Sequence, residues 1–235
     1  MGSCITLNHL SFSWPGAQTP LLQIPKLAID KGERVLLRGP SGSGKSTLLS
    51  LIAGIHPPSP GQLDVMGHDL GKLGQSARDR LRANEIGYIF QQFNLLPYLS
   101  ALDNVMLSCQ FAPARRRRLQ QQHTNREAAA GQLLDHLGLT RAQHQQPAHQ
   151  LSVGQQQRVA AARALLGSPA LIIADEPTSA LDEAHRDEFV KLLFAECQQQ
   201  NTTLLFVSHD ATLDRHFPRT IELTRLNQAV EANDD

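Results

Sequence analysis

The 235-residue sequence is short of most features that would tie it to a special environment. It has three cysteines, Cys4, Cys109 and Cys197, too far apart to form a metal-type pair. They read as free thiols in a reducing compartment, not as a disulfide framework. Neither sign of charge is in excess: 22 Lys and Arg balance 22 Asp and Glu, so no basic footprint argues for nucleic acid as a partner. No apolar run approaches the roughly 18 residues that a bilayer span needs, and the start lacks the charged-then-apolar layout of a signal peptide. Met1-Gly2-Ser3-Cys4-Ile5-Thr6 formally fits the very short myristoylation pattern, but nothing else suggests a lipid anchor. The chain is therefore expected in the cytoplasm. A hydrophobic share of 41% with 19% charged residues suits a globular protein of one large domain, or a core with an inserted subdomain.

The first 30 residues mix short apolar runs with Pro and Gly punctuation, which predicts a small antiparallel sheet. RVLLR, residues 34–38, predicts a strand, followed by a Gly/Ser loop and helical sequence from near Lys45. A further strand is predicted over 86–90. Residues 101–150 change character: helix formers, a basic run (Arg115, Arg116, Arg117, Arg118) and many Gln and His predict a helical insertion between Pro97 and Pro147. From Gln155 the pattern reads helix, strand (171–174), helix (183–200), strand (203–207). Helices alternating with continuous apolar strands predict an α/β fold on a mostly parallel sheet. The division expected is a core with its β subdomain over 1–98 and 155–225, a helical subdomain over about 99–154, and a flexible tail over 226–235. The basic run reads as a solvated loop, with anionic lipid headgroups or an acidic coupling element as the alternative contact.

GPSGSGKST (Gly39, Pro40, Ser41, Gly42, Ser43, Gly44, Lys45, Ser46, Thr47) satisfies the P-loop pattern G-x-x-x-x-G-K-[ST], directly after a predicted strand and before a helix. Its glycines let the backbone wrap so that successive N–H groups face phosphate oxygens, and the helix adds the positive end of its dipole. Lys45 is placed to reach the β- and γ-phosphates and Ser46 to ligate Mg²⁺. Leu171-Ile172-Ile173-Ala174 then ends in Asp175 and Glu176. A buried parallel strand has little reason to finish in two carboxylates unless its end faces a site. Asp175 is placed to hold Mg²⁺, and Glu176 to orient or deprotonate an attacking water.

Four further stretches follow the same order: Gln91 after Gly87-Tyr88-Ile89-Phe90; Leu151-Ser152-Val153-Gly154-Gln155 before a helix; Ser179-Ala180-Leu181-Asp182 after the acidic pair; and His209 after the last strand. With the P-loop, this series resembles the ATP-binding cassette (ABC) ATPases over roughly residues 4–225. The resemblance implies ATP and Mg²⁺ as ligands and a second copy of the chain as partner. Each ATP would lie between the P-loop of one copy and the LSVGQ loop of the other. It further implies that Ser152 and the Gly154 amide, beside Gln155, touch the partner's γ-phosphate, and that Gln91 senses Mg²⁺ and the attacking water. His209 would contact the γ-phosphate, and Asp182 would link the sites across the interface. An adenine-stacking aromatic is expected upstream, and Trp14 is the candidate. Val153 stands where the family usually has glycine; the expectation is that no positive φ is needed there.

The segment from Tyr88 to Pro97 and then Ala101-Leu102-Asp103-Asn104-Val105 resembles the lipoprotein-release and macrolide-export branch. That branch implies an ATP-hydrolysing subunit on the inner face of the membrane, driving an integral membrane permease. A polar amino-acid-type importer ATPase and a soluble, non-transport ABC ATPase are the alternatives. The latter needs a long coiled-coil insertion or two cassettes in one chain, and 235 balanced residues show neither.

Overall fold

The structure is a computed structural model that describes residues 2–122 and 125–229. The N-terminal strand β1 (Ser3–Phe12) pairs antiparallel with β2 (Leu22–Asp30), as the first 30 residues predict. Ile5, Leu7 and Leu10 turn inward from β1. The strand β3 (Arg34–Arg38) leads into helix α1 (Lys45–Ile52). Two short strands, β4 (Leu63–Val65) and β5 (His68–Asp69), extend the first sheet to the order β2-β1-β4-β5. These short segments lie beyond the region in which the antiparallel sheet was expected.

Helix α2 (Gln75–Glu85) is unannounced in the sequence, and the reason is physical: none of its residues is buried. Without an apolar stripe there is no helical periodicity to read. Strand β6 (Ile86–Ile89) follows, then the insertion: α3 (Ala101–Met106), α4 (Pro113–Gln121), α5 (Arg126–His136) and α6 (Arg141–His144). The insertion closes on itself where it leaves and rejoins the core. Ser100 and Pro147 form a bridge, and the Ala148 N–H donates to the Leu99 carbonyl at 2.9 Å. Buried Asn104 knits this stem, accepting from the Leu96 N–H at 2.8 Å and donating to the carbonyls of Leu96, Leu99 and Ser100.

The chain returns through α7 (Val153–Leu165), β7 (Leu171–Asp175), α8 (Glu183–Gln199), β8 (Thr203–Ser208), β9 (Arg219–Glu222) and α9 (Leu223–Leu226). The helix expected from Gln155 begins two residues earlier, so the expected subdomain boundary falls inside its first turn. The second sheet is parallel with strand order β6-β7-β8-β3-β9. Its inner strands β7, β8 and β3 are buried on both faces because both are covered, while the edge strand β9 buries only Ile221. Leu36, Ile172, Leu204 and Phe206 join the core formed with the insertion, α7 and α8. Val35, Leu37, Ile173, Leu205 and Val207 join the core formed with α1 and the antiparallel sheet.

Two expectations are corrected. The tail predicted from 226 is anchored further along: Asn227 is buried, accepts from the Gln23 N–H at 2.7 Å and donates to the Leu21 carbonyl at 2.9 Å. Residues 230–235, like Met1 of the myristoylation pattern, lie outside the described residues.

The basic run is helix, not solvated loop. Pro113 opens α4 at its first turn, where a missing N–H costs nothing. Arg115 and Leu119, one turn apart, then form the buried face. Arg115 is only 2% exposed and donates to the carbonyls of Ile86 (2.5 Å), Ala164 (3.1 Å) and Leu166 (3.4 Å). Burial pushes its guanidinium down to about 10. Arg118 pairs with Glu85 at 3.0 Å. Arg115→Ala strands three carbonyls, so it is expected to lower the unfolding free energy by about 3 kcal/mol in urea titration. An unchanged urea midpoint would show that those carbonyls find other partners.

Candidate functional site

The C-terminal ends of the parallel strands open on a cavity of about 670 Å³. This is where ligands bind open α/β sheets, because the loops there diverge around the strand ends. Pro40, Ser41, Gly42, Gly44, Lys45, Ser46 and Thr47 form one wall; Gln91, Asp175, Glu176 and His209 form the rest. Residues 169 positions apart in sequence thus meet in one place. Gly39 and Ser43 sit behind that wall, and a Cβ on Gly39 would come within 2.7 Å of Ser43 Oγ. Leu21, which no sequence signal marks, also lines the cavity.

The P-loop wall is built to hold an anion. Gly42 and Gly44 have φ of 82° and 93°, the left-handed region that glycine enters at little cost. Gly44 is the N-cap of α1, so no side chain caps the helix, and no acidic residue occupies its first turn. Ser100, Asn125, Ser152 and Asp182 each accept from a first-turn N–H of their own helix, whereas α1, like α2, α4 and α9, has no such side-chain cap. The first turn of α1 is therefore left with unsatisfied N–H groups and a positive dipole end facing the cavity. Lys45 adds a full charge, its Nζ donating to the carbonyls of Gly39 (2.7 Å) and Pro40 (2.8 Å).

The opposite wall is acidic. Glu176 has φ of 46°, an uncommon backbone for a non-glycine residue, held by its N–H donating to the Val207 carbonyl at 2.9 Å. Its carboxylate is fixed from two sides. Oε1 lies 2.9 Å from His209 Nδ1, and Ser208 Oγ donates to Oε2 at 3.3 Å. Asp175, the last residue of β7, accepts from the Tyr88 hydroxyl at 3.3 Å. Tyr88 is the polar break in an otherwise apolar strand, and that break is the signal that could have marked it. Burial raises the Asp175 carboxyl above its ordinary range and Glu176 beside it adds to the rise, while Tyr88 and Lys45 pull it down. The Tyr88 phenol is pushed up in turn by its burial and by Asp175.

The remaining predicted residues lie outside this cavity. Ser152 caps α7 in a reciprocal box: its hydroxyl accepts from the Gln155 N–H (3.3 Å), and the Gln155 amide oxygen accepts from the Ser152 N–H (2.9 Å). Val153 is the first residue of that helix and 47% exposed, with no positive φ at 153 or 154. Asp182 caps α8, and the His185 N–H and ring hold its carboxyl below the usual range. Trp14 is 40% exposed and meets Phe12 and His56 edge-on at 5.2 and 4.9 Å.

A P-loop on a parallel sheet, a strand-end carboxylate pair and an inserted helical subdomain define a cassette-type ATPase. The chain belongs to the ABC transporter family, whose profile matches residues 22–179. The lipoprotein-releasing system ATP-binding protein LolD of Hydrogenovibrio crunogenus is 41% identical over 207 residues, 88% of this chain and 86% of LolD. The uncharacterized ABC transporter ATP-binding protein YbbA of Escherichia coli K12 is 42% identical over 207 residues, 88% of this chain and 87% of YbbA. The macrolide export ATP-binding/permease protein MacB of Sodalis glossinidius is 45% identical over 197 residues, 84% of this chain. The match spans only 29% of MacB. Among solved structures, the ATP-binding cassette MJ0796, a dimer in a post-hydrolysis state with ADP and Pi, superposes with a TM-score of 0.77. It is 32% identical, with 96% of this chain and 95% of that one covered. Both the ATPase class and the lipoprotein-release and macrolide-export resemblance are thereby borne out.

Because burial favours protonated Asp175, the folded chain binds that proton more tightly than the unfolded chain does. Its contribution to stability therefore falls as pH rises from the ordinary 3.8 through the raised folded value, and stays unfavourable above it. Asp175→Asn removes the penalty. The variant is expected to melt above wild type at neutral pH, with the gap closing on acidification; calorimetry across pH reads it. A lower melting point at neutral pH would refute this account.

Proposed function

We propose that the chain is the ATP-hydrolysing subunit of a membrane transporter or envelope mechanotransmission complex, working as a head-to-tail pair. The observation that carries the pairing is the division of the expected ligand set within one chain. Most of it lines the cavity, but one group, Ser152, Gly154, Gln155 and Asp182, does not. A second copy supplies the missing group, its Ser152 hydroxyl and Gly154 amide facing the γ-phosphate and its Asp182 linking the two sites. The similar cassette that is dimeric with ADP and Pi supports pairing of two copies. Val153 is compatible with it because a helical first-turn residue needs only negative φ.

ATP binds with its phosphates on the bare N-terminus of α1 and on Lys45. Trp14, 40% exposed, is the aromatic offered to adenine, and Leu21 lines the cavity. Ser46, Gln91 and Asp175 would hold Mg²⁺, since hydroxyl, amide and carboxylate oxygens in one cavity are the donor set this hard cation takes with phosphates. When bound, the ion neutralises charge on the phosphate oxygens. A cation there also relieves the like-charge repulsion between Asp175 and Glu176. Glu176, oriented by His209 and Ser208, is placed to take the proton of the attacking water. His209 then contacts the γ-phosphate and keeps the carboxylate aimed.

No helix among the described residues is long and apolar enough to cross a membrane; in this reading the cassette drives an integral membrane permease. A groove of about 540 Å³ between the core and the insertion suits it. Phe90, Leu96 and Phe111 line the groove, with Phe111 79% exposed. Gln91 follows Phe90 directly, which would link docking there to the ATP site. The resulting location is peripheral, on the inner face of the membrane.

Glu176→Gln is expected to bind ATP, to hydrolyse it at least 100-fold more slowly (an order-of-magnitude figure for a lost general base), and to accumulate as an ATP-bound dimer in size-exclusion chromatography. Fast hydrolysis by that variant would remove Glu176 from its role. Lys45→Ala is expected to lose ATP binding in equilibrium dialysis. Unchanged affinity would sink the P-loop assignment.

A further inference from the structure

The loop carrying Gln91 has an unusual shape. The Phe93 N–H donates to the Phe90 carbonyl at 2.9 Å, closing a turn with Gln91 inside it. Phe93 and Asn94 then follow with φ of 59° and 49°. Two consecutive side-chain-bearing residues do not favour the left-handed region, so something outside the loop must hold them. That something is one guanidinium. Arg163 Nη1 donates to the Asn94 carbonyl at 2.6 Å, and Nη2 donates to the Phe93 carbonyl at 2.5 Å. Among the described residues no carboxylate forms an ion pair with Arg163, and burial alone pulls its guanidinium down. A planar two-pronged donor fits two adjacent carbonyls; an ammonium cannot reproduce it.

Arg163 belongs to the last turn of α7, whose first turn is capped by Ser152. The same end of α7 is locked to β6. A Cβ on Gly87 would lie 2.3 Å from the Ala164 carbonyl, so strand and helix touch through backbone. Arg115 ties the Ile86 carbonyl to those of Ala164 and Leu166. Strand, Gln91 loop and helix therefore form one block, and the 13 residues of α7 carry its displacement about 20 Å to Ser152.

We propose that Arg163 is the positioning residue that couples the two ATP sites of the dimer. It fastens the loop bearing Gln91, which faces one ATP, to the helix whose Ser152 end completes the other site. The proposal rests on the head-to-tail pairing above. With the fork in place, a shift of the Gln91 loop on nucleotide binding moves Ser152 as well. Without it, loop and helix move independently.

The test measures steady-state hydrolysis by the full chain against ATP concentration for wild type, Arg163→Ala and Arg163→Lys. Wild type is expected to show a Hill coefficient clearly above that of independent sites. Arg163→Ala is expected to bring it to about one and to lower the maximal rate. ATP affinity of the dilute monomer, read with labelled ATP, stays within about twofold, since Arg163 lies outside the P-loop wall. A merely structural residue would change melting temperature without this split. Wild-type cooperativity in a folded Arg163→Ala protein overturns the proposal. If that variant does not fold, Arg163→Lys decides: it keeps charge and stem but loses the fork, so wild-type cooperativity there overturns the proposal equally. A wild type with independent sites, together with a Glu176→Gln variant that stays monomeric in ATP, instead overturns the head-to-tail reading, and the proposal with it.

Discussion

The constraint on which the rest depends is the unsatisfied N-terminus of α1. Four other helices begin with a side chain that accepts a first-turn N–H; α1 begins with Gly44 in a left-handed conformation and no cap. Such donors are free to pair with a ligand in the cavity they face. Placing them at the carboxyl end of β3 sets them across the cavity from the carboxylates that end β7. Positive dipole and ammonium face paired acid across one cleft. In the function proposed above, a polyphosphate with a divalent cation would satisfy both walls at once.

From that cleft, stiffness passes outward along identifiable bonds. His209 and Ser208 bring the end of β8 to Glu176, whose own backbone is held in a sparsely populated region. Tyr88 joins β6 to Asp175 and stacks on Phe90 at 4.3 Å, in the groove proposed for the membrane partner. Arg115 and Arg163 then fasten that strand and its loop to α7. Both arginines bond to main-chain carbonyls and not to carboxylates, so their geometry follows the backbone. A guanidinium suits this task because its donors lie in one plane at fixed spacing.

The alternation of apolar strands with helices was enough to give the α/β class, because strands covered on both faces must be apolar throughout. P-loop and acidic pair were equally plain, since phosphate chemistry fixes residue types at fixed spacing. The sequence was silent on α2, which buries nothing and so has no stripe, and it pointed the wrong way at Arg115. Four arginines in a row look like a solvated surface. One of them is buried because α4 turns that position, with Leu119, toward carbonyls of the core.

By itself the sequence determined the cassette class and the P-loop stretch that forms one wall of the cavity, because each is marked by residue types at fixed local spacing. Only the tertiary structure decided that Glu176 is aimed by His209, that Tyr88 touches Asp175, and that Arg163 holds the Gln91 loop. Those pairs are separated by 33, 87 and about 70 residues, and no local pattern encodes which distant carbonyl or carboxylate a side chain will meet. The packing of α7 against the parallel sheet brings Arg163 to its carbonyls, and that packing is a property of the whole core.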